Sequence, residues 1–210
     1  MPTDAPQSGQ TTQPWGPAPA GGRTGCIVLA RHGEPALSRK IKLSARGYRD
    51  WWARYEVGGI LPGQTPPAHL VEAAARAGVI YTSTRLRAKE TARALAQGRE
   101  FAHEDIFIEA PLPPPSWPEV IKLSPKTWGV VSRLSWWLGA HGGEETRPQA
   151  QERALRAAGL LDEAARRGED VLLVAHGFFN TMIGLELKKR GWRLVKGRGW
   201  KYWSTRYFEL

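Results

Sequence analysis

Cysteine is almost missing from this chain: its 210 residues contain one, Cys26. A lone cysteine excludes an internal disulfide framework and provides no cluster of metal ligands. No run of about 18 apolar residues occurs, so a spanning helix is not expected. The N-terminus lacks a basic segment followed by an apolar one. No secretory leader is therefore expected, and the expected compartment is the reducing cytoplasm. Acidic residues are in deficit, 20 Asp and Glu against 30 Lys and Arg, which leaves a formal net charge of +10. That balance favours an acidic partner: nucleic acid, an anionic membrane surface or a phosphorylated substrate. No internal repeat is visible.

An apolar content of 41%, with ten tryptophans, is enough for one sizeable core. Residues 1–24 are Pro, Gly, Gln, Thr and Ala around a single Trp15. Such a segment cannot bury enough surface to offset its ordering entropy, so a disordered tail is expected, followed by one domain over 25–210. The run Cys26-Ile27-Val28-Leu29-Ala30 is too short for a helix and reads as a strand buried on both faces. It leads into Arg31-His32-Gly33-Glu34, where Gly33 would let a ligand or another backbone approach closely. The pattern returns at Asp170–Ala175, followed by His176-Gly177. Open α/β sheets hold ligands beyond the carboxyl ends of their strands, which is where both His-Gly pairs fall.

Between these two points strands and helices alternate. A helix capped by Ser44 should run to about Val57 and bury Tyr48, Trp51, Trp52 and Tyr55. Pro66-Pro67 should open a second, ending near Ala77. Val79-Ile80-Tyr81 reads as a strand. Thr82-Ser83-Thr84 should then cap a helix with Leu86, Ala88, Thr91, Ala92 and Leu95 on its core face and Arg87 at its anion-binding first turn. A strand is expected over Asp105–Glu109, and five prolines between 111 and 118 hold the chain extended. A Trp-rich helix over 124–138 is expected to lie over the sheet or cap its edge. Long helices follow from Thr146 to about Arg167 and over 178–190, and a last strand over 200–208. This order implies an α/β sandwich with a largely parallel sheet.

If the two His-Gly turns and the turn at Thr82–Arg87 meet at one sheet edge, His32, His176, Arg31 and Arg87 form a pocket for a dianionic phosphoryl group. Arginine provides paired donors matched to phosphate oxygens. One neutral imidazole can attack phosphorus, and the other can donate to a phosphoryl oxygen in the transition state. The departing alkoxide then needs a proton from a nearby acid.

Arg31-His32-Gly33-Glu34, the run Tyr81–Ala92 and Val174-Ala175-His176-Gly177 resemble the three signatures of the histidine phosphatase superfamily. That superfamily includes cofactor-dependent phosphoglycerate mutases and many phosphomonoesterases. The likeness spans about 25–208 and implies a three-layer, phosphoglycerate mutase-like α/β sandwich with a mostly parallel central sheet. It implies that His32 is the phosphorylated nucleophile, that Arg31 and Arg87 clamp the phosphate, and that His176 is the second histidine of the phosphate pocket. The family's acid is matched best by Glu109, with Glu119 as runner-up. The mutase branch carries an Asn shortly after its first signature, and Glu34-Pro35-Ala36-Leu37-Ser38-Arg39 has none. The resemblance therefore implies a phosphatase, acting on a small-molecule or protein phosphomonoester, before a mutase-type phosphotransferase. Substrate choice falls to the basic 39–49 and Trp-rich 116–138 segments.

Two other readings compete. A two-histidine metal site is opposed by Arg31 and Arg87, which would repel a divalent cation, so neither a metal nor an organic cofactor is expected. A basic binding module could use Lys188, Lys189, Arg190, Arg193, Lys196, Arg198 and Lys201, interleaved with Trp192, Trp200 and Trp203, to grip nucleic acid or an anionic membrane surface.

Overall fold

The computed structural model describes residues 22–197 and 199–210. The expected tail and its Trp15 therefore lie almost wholly outside the described residues, and so does Arg198. Where the description begins, Arg23 ion-pairs with Asp170 and the Gly25 amide donates to Ala165 at 2.8 Å, so the chain is tied to the domain just before its first strand.

Six strands form one sheet in the order β3-β2-β4-β1-β6-β5. The members are β1 (Ile27–Arg31), β2 (Val79–Ser83), β3 (Ala102–Glu104), β4 (Val171–Ala175), β5 (Arg193–Lys196) and β6 (Thr205–Glu209). β1 to β4 run parallel to their neighbours, while β6 is antiparallel to β1 and β5 antiparallel to β6. The central strands are apolar on both faces because both faces are covered. Ile27, Leu29, Val171 and Leu173 join the core under α5 (Arg147–Arg166) and α6 (Gly177–Lys189). Val28, Ala30, Leu172 and Val174 join the opposite core under α2 (Ala68–Arg76) and α3 (Leu86–Ala96). This alternation makes the three-layer sandwich.

A third, smaller cluster stands apart. α1 (Ala45–Val57) and α4 (Pro125–Trp137) pack through Tyr48, Trp51, Tyr55 and Trp128, with Tyr48 stacked between Trp51 and Trp128 at 5.8 Å from each. The indole N–H of Trp128 donates to Leu43, whose backbone bridges Leu123. The 39–49 and 116–138 segments are thus joined into one cap.

Helix starts follow their caps. Ser44 accepts from Gly47, Ser124 from Thr127, and Thr146 with Gln149 forms a capping box. Four expectations need correction. Thr82-Ser83-Thr84 does not cap α3: the N-cap is Arg85, without a side-chain bond, because β2 extends through Ser83. Leu86 is exposed and does not face the core, while Arg87 and Ala88 in the same turn are buried. The strand expected over 105–109 lies earlier, at β3, and Asp105–Phe107 is a single 3-10 turn. The last strand begins only at Thr205. Residues 201–203 turn sharply, with Trp203 in the left-handed region at φ 61°.

Candidate active site

Strand register does the first part of the assembly. Arg31 lies opposite Ala175, so His32 and His176 leave adjacent strand ends at the same level. The His32 amide donates to the Ala175 carbonyl at 3.0 Å, and the two imidazoles meet edge to face with centroids 5.2 Å apart. β2 flanks β4 on its other side, with Thr82 opposite Val174, which brings the Ser83 hydroxyl to 2.9 Å from His176 Nε2. Both imidazoles are buried, as is Arg87.

The hydrogen bonds fix the protons. His32 Nδ1 lies 2.7 Å from the Gly33 carbonyl, which can only accept, so Nδ1 carries the proton and Nε2 keeps its lone pair. Ser83 Oγ accepts from the Arg85 amide at 3.3 Å and has its own proton to give to His176 Nε2. When Ser83 gives that proton, the His176 proton sits on Nδ1, a buried atom without a hydrogen-bond partner among the described residues. Burial pushes the His32 pKa well below its ordinary value, and the Arg87 and Arg31 guanidiniums push it further. Burial does the same to His176, followed by Arg87 and His32. Both rings are neutral at pH 7: one presents a lone pair, the other an N–H.

The guanidiniums are held from behind. Arg31 stacks on Tyr202 at 4.5 Å and donates to the Trp200 carbonyl. It fits over the start of α6 because Gly177 has no side chain: a Cβ there would sit 3.3 Å from the Arg31 Cδ and Nε. Arg87 donates to the carbonyls of Tyr55 and Glu56 at the end of α1, and to Glu56 Oε1 at 2.8 Å. The other Glu56 oxygen pairs with Arg85. The Nε atoms of Arg31 and Arg87 are buried without a partner, like His176 Nδ1. Three unmatched donors on one small region describe an anion site.

Glu109 lines the same cavity. Its Oε1 accepts from the Phe179 amide at 2.9 Å and from Ala110, while Oε2 accepts from the Phe178 amide at 3.3 Å. The carboxylate therefore caps the N-terminus of α6 from outside the helix. Glu119 is exposed and is not on the cavity wall.

The cavity encloses about 430 Å³. The strand-end residues form one end, and the cap forms the rest through Arg39, Trp52, Lys126, Val130, Arg133 and Leu134. Sequence reading assigned the cap segments to substrate choice without finding Arg133, which lies over the Phe178 ring at 3.7 Å and donates to Ala110 and Pro111. Burial lowers its pKa. Ser83 was also missed as a site residue, although the strand preceding it carries the signal. Tyr202 was missed because the 200–208 segment alternates like a strand. Gly33 receives a tryptophan ring in place of a ligand: a Cβ there would meet Trp203 at 2.6 Å.

The tryptophans near the C-terminus do not share one surface. Trp192 is buried and donates to Asp162, Trp203 packs on Gly33 and donates to Gln64, and Trp200 faces the cavity. Among the described residues no group of three or more His, Cys, Asp or Glu is placed to hold a metal ion, and no helix is long and apolar enough to cross a membrane.

The family model described as histidine phosphatase superfamily (branch 1) matches residues 67–205. The match takes in Arg87, Glu109 and His176 and begins after His32. No curated protein matches by sequence. Solved structures share the fold. A phosphoserine phosphatase mutant from Entamoeba histolytica, in complex with phosphoserine, is 17% identical over 88% of this chain and 90% of its own, with a TM-score of 0.55. YhfR of Bacillus stearothermophilus is 22% identical over 88% and 91%, with a TM-score of 0.52. A mycobacterial glucosyl-3-phosphoglycerate phosphatase is 20% identical over 78% and 79%, with a TM-score of 0.51.

Proposed function

The chain belongs to the histidine phosphatase superfamily, and from that premise we propose that it hydrolyses a phosphomonoester through a phosphohistidine at His32, without a metal. The observation that carries the reading is the meeting of two buried imidazoles: His32, whose Nδ1 faces the Gly33 carbonyl and so leaves Nε2 its lone pair, and His176, whose Nδ1 is buried without a hydrogen-bond partner. Two neutral imidazoles 5.2 Å apart and two back-braced guanidiniums match a phosphoryl group that must be attacked on one face and held by its oxygens. Phosphatase is also the activity named for the Entamoeba and mycobacterial neighbours.

In the first step the His32 Nε2 lone pair forms a bond to phosphorus while the bond from phosphorus to the ester oxygen breaks. Arg31, Arg87 and His176 Nδ1–H donate to the three remaining oxygens as their charge spreads. Glu109 gives its proton to the leaving alkoxide, a role supported by its place on the cavity wall. In the second step water attacks phosphorus, Glu109 takes the water's proton, and the N–P bond breaks to release phosphate. His32 returns to its starting tautomer because Nδ1–H stays on the Gly33 carbonyl throughout.

The test is to quench the enzyme during turnover of p-nitrophenyl phosphate in EDTA. Acid-labile, base-stable phosphate should appear on the wild type and be absent from His32→Ala, with turnover lost by a factor of about 10³ or more. Full activity in His32→Ala would sink the reading.

A further inference from the structure

α4 carries a largely exposed apolar face, on which only Trp137 is overlaid, by the Arg147 guanidinium at 3.8 Å. Val130, Leu134 and Leu138 lie on successive turns and are 57%, 61% and 87% exposed; Trp137 beside them is 47% exposed. A surface helix of a globular domain ordinarily places polar residues there. The face is continuous with the cavity, because Val130 and Leu134 also form part of its wall, opposite Trp52, Leu112, Phe178 and Trp200. Beyond the phosphoryl pocket the space is therefore bounded mainly by hydrocarbon. The charged side chains that the cap adds to that wall, Arg39, Lys126 and Arg133, are all cations.

The charge around this rim is predominantly positive. The Leu43–Leu123 bridge joins segment 36–43 to the approach of α4. Together 36–43 and 117–138 carry Arg39, Lys40, Lys42, Lys122, Lys126 and Arg133 against one carboxylate, Glu119. The four lysines are exposed, and so are Ile41, between Lys40 and Lys42, and Val120, two residues before Lys122. Exposed apolar side chains set among lysines are what an anionic bilayer surface attracts: the lysines meet the headgroups and the apolar side chains enter the acyl boundary. A second copy of the chain would bring these same lysines against each other, which argues against self-association through this face.

We infer that the substrate is a phosphomonoester of a hydrophobic alcohol, a lipid phosphate, taken from an anionic bilayer on which the α4 face rests. This inference depends on the phosphohistidine reading and names its substrate class. The headgroup enters the pocket between His32 and His176, and the first part of the chain lies along Val130, Leu134 and Phe178.

The test uses the full chain with vesicles of phosphatidylcholine, with and without one third phosphatidylglycerol. The protein should float with the anionic vesicles and be released by salt. It should hydrolyse phosphatidate in them at least tenfold more efficiently than glycerol 3-phosphate in solution. The double variant Val120→Asp/Leu138→Asp, altered outside the cavity, should keep its p-nitrophenyl phosphate activity while losing flotation and at least tenfold of its phosphatidate rate. Hydrolysis of p-nitrophenyl phosphate without flotation or preference for phosphatidate would overturn the inference and leave the phosphatase reading standing. A dimer dissociated by Leu138→Asp, with no flotation, would overturn it in favour of a second copy. No hydrolysis of any ester and no phosphate on His32 would remove the phosphatase reading, and this inference with it.

Discussion

At the strand end of the cavity every side chain proposed to meet phosphorus is fixed by a bond to something behind it: His32 by Gly33, His176 by Ser83, Arg31 by the Trp200 carbonyl, Arg87 by Glu56. At the cap end, the walls are rings and aliphatic groups that pack on each other, with Arg39 and Arg133 lying against aromatic faces. The first end can hold one tetrahedral group in one orientation. The second excludes water and tolerates variation in shape, because stacking and dispersion lack the directionality of hydrogen bonds. Chemistry and selectivity are thereby assigned to different parts of the chain, and substitutions at the two ends should fail in different ways.

Glu109 sits where the two ends meet, so its removal should separate them most clearly. Glu109→Gln keeps one acceptor oxygen for the Phe179 and Ala110 amides, while losing the transferable proton, the carboxylate charge and the acceptor for the Phe178 amide. On an alkyl phosphate, whose alkoxide must be protonated, kcat should fall roughly 10²- to 10⁴-fold. On p-nitrophenyl phosphate, whose leaving group departs without help, the loss should stay within about tenfold. Equal losses on both esters, accompanied by a lower melting temperature, would reduce Glu109 to a helix cap.

The same division explains what could be read in the sequence. His32, His176, Arg31 and Arg87 were legible because each stands at or shortly after the end of a short strand that begins as an apolar run, and a parallel sheet brings such ends to one edge. Ile27–Arg31 and Val171–Ala175 are buried on both faces, so their apolar runs have no competing interpretation. The cap was legible only as composition. α1 and α4 were foreseen as helices, but their mutual packing rests on contacts about 80 residues apart, such as Trp128 to Leu43, which no local pattern encodes. The C-terminal turn went unseen because Trp200–Phe208 alternates as a strand would, whereas the left-handed Trp203 breaks it. A non-glycine residue in that region costs about 1 kcal/mol or more and is held there by its packing on Gly33 and its bond to Gln64. That turn also places Tyr202 5.9 Å from His32.

Ser83 sharpens the strand end by a smaller amount. It is proposed to act through His176, as a positioning residue, by keeping the proton on Nδ1. Ser83→Ala leaves Nε2 buried and unpaired, and lets the ring take either tautomer. kcat/KM should drop roughly tenfold, the scale of one lost buried hydrogen bond of about 1–1.5 kcal/mol. Binding of orthovanadate, which engages the same N–H, should weaken by a similar factor. A loss of stability with vanadate affinity unchanged would show that the hydroxyl serves β2 and not the imidazole.

The smallest effect concerns stability and again contrasts the two ends, since the buried imidazoles lie at only one of them. His32 and His176 are pushed well below 6.5 when folded, by burial first and by Arg87 next. Below pH 6.5 the unfolded chain therefore binds protons at these rings that the folded chain does not, and the free energy of unfolding increases with pH until about 6.5. Above that value the two rings add no further slope. Each can contribute up to about 1.4 kcal/mol per pH unit within the acidic window. Urea midpoints should rise from pH 5 to pH 7, and the rise should shrink in His32→Gln and shrink further with His176→Gln added. Inorganic phosphate at pH 5 should recover part of the lost stability, because an anion beside the rings favours their protonated form. A cap variant such as Trp52→Leu should lower the midpoints by a similar amount at every pH, because the packing it removes carries no proton. An unchanged slope in the double histidine variant would move the acid sensitivity to the carboxylates and end the claim that these two imidazoles are held neutral.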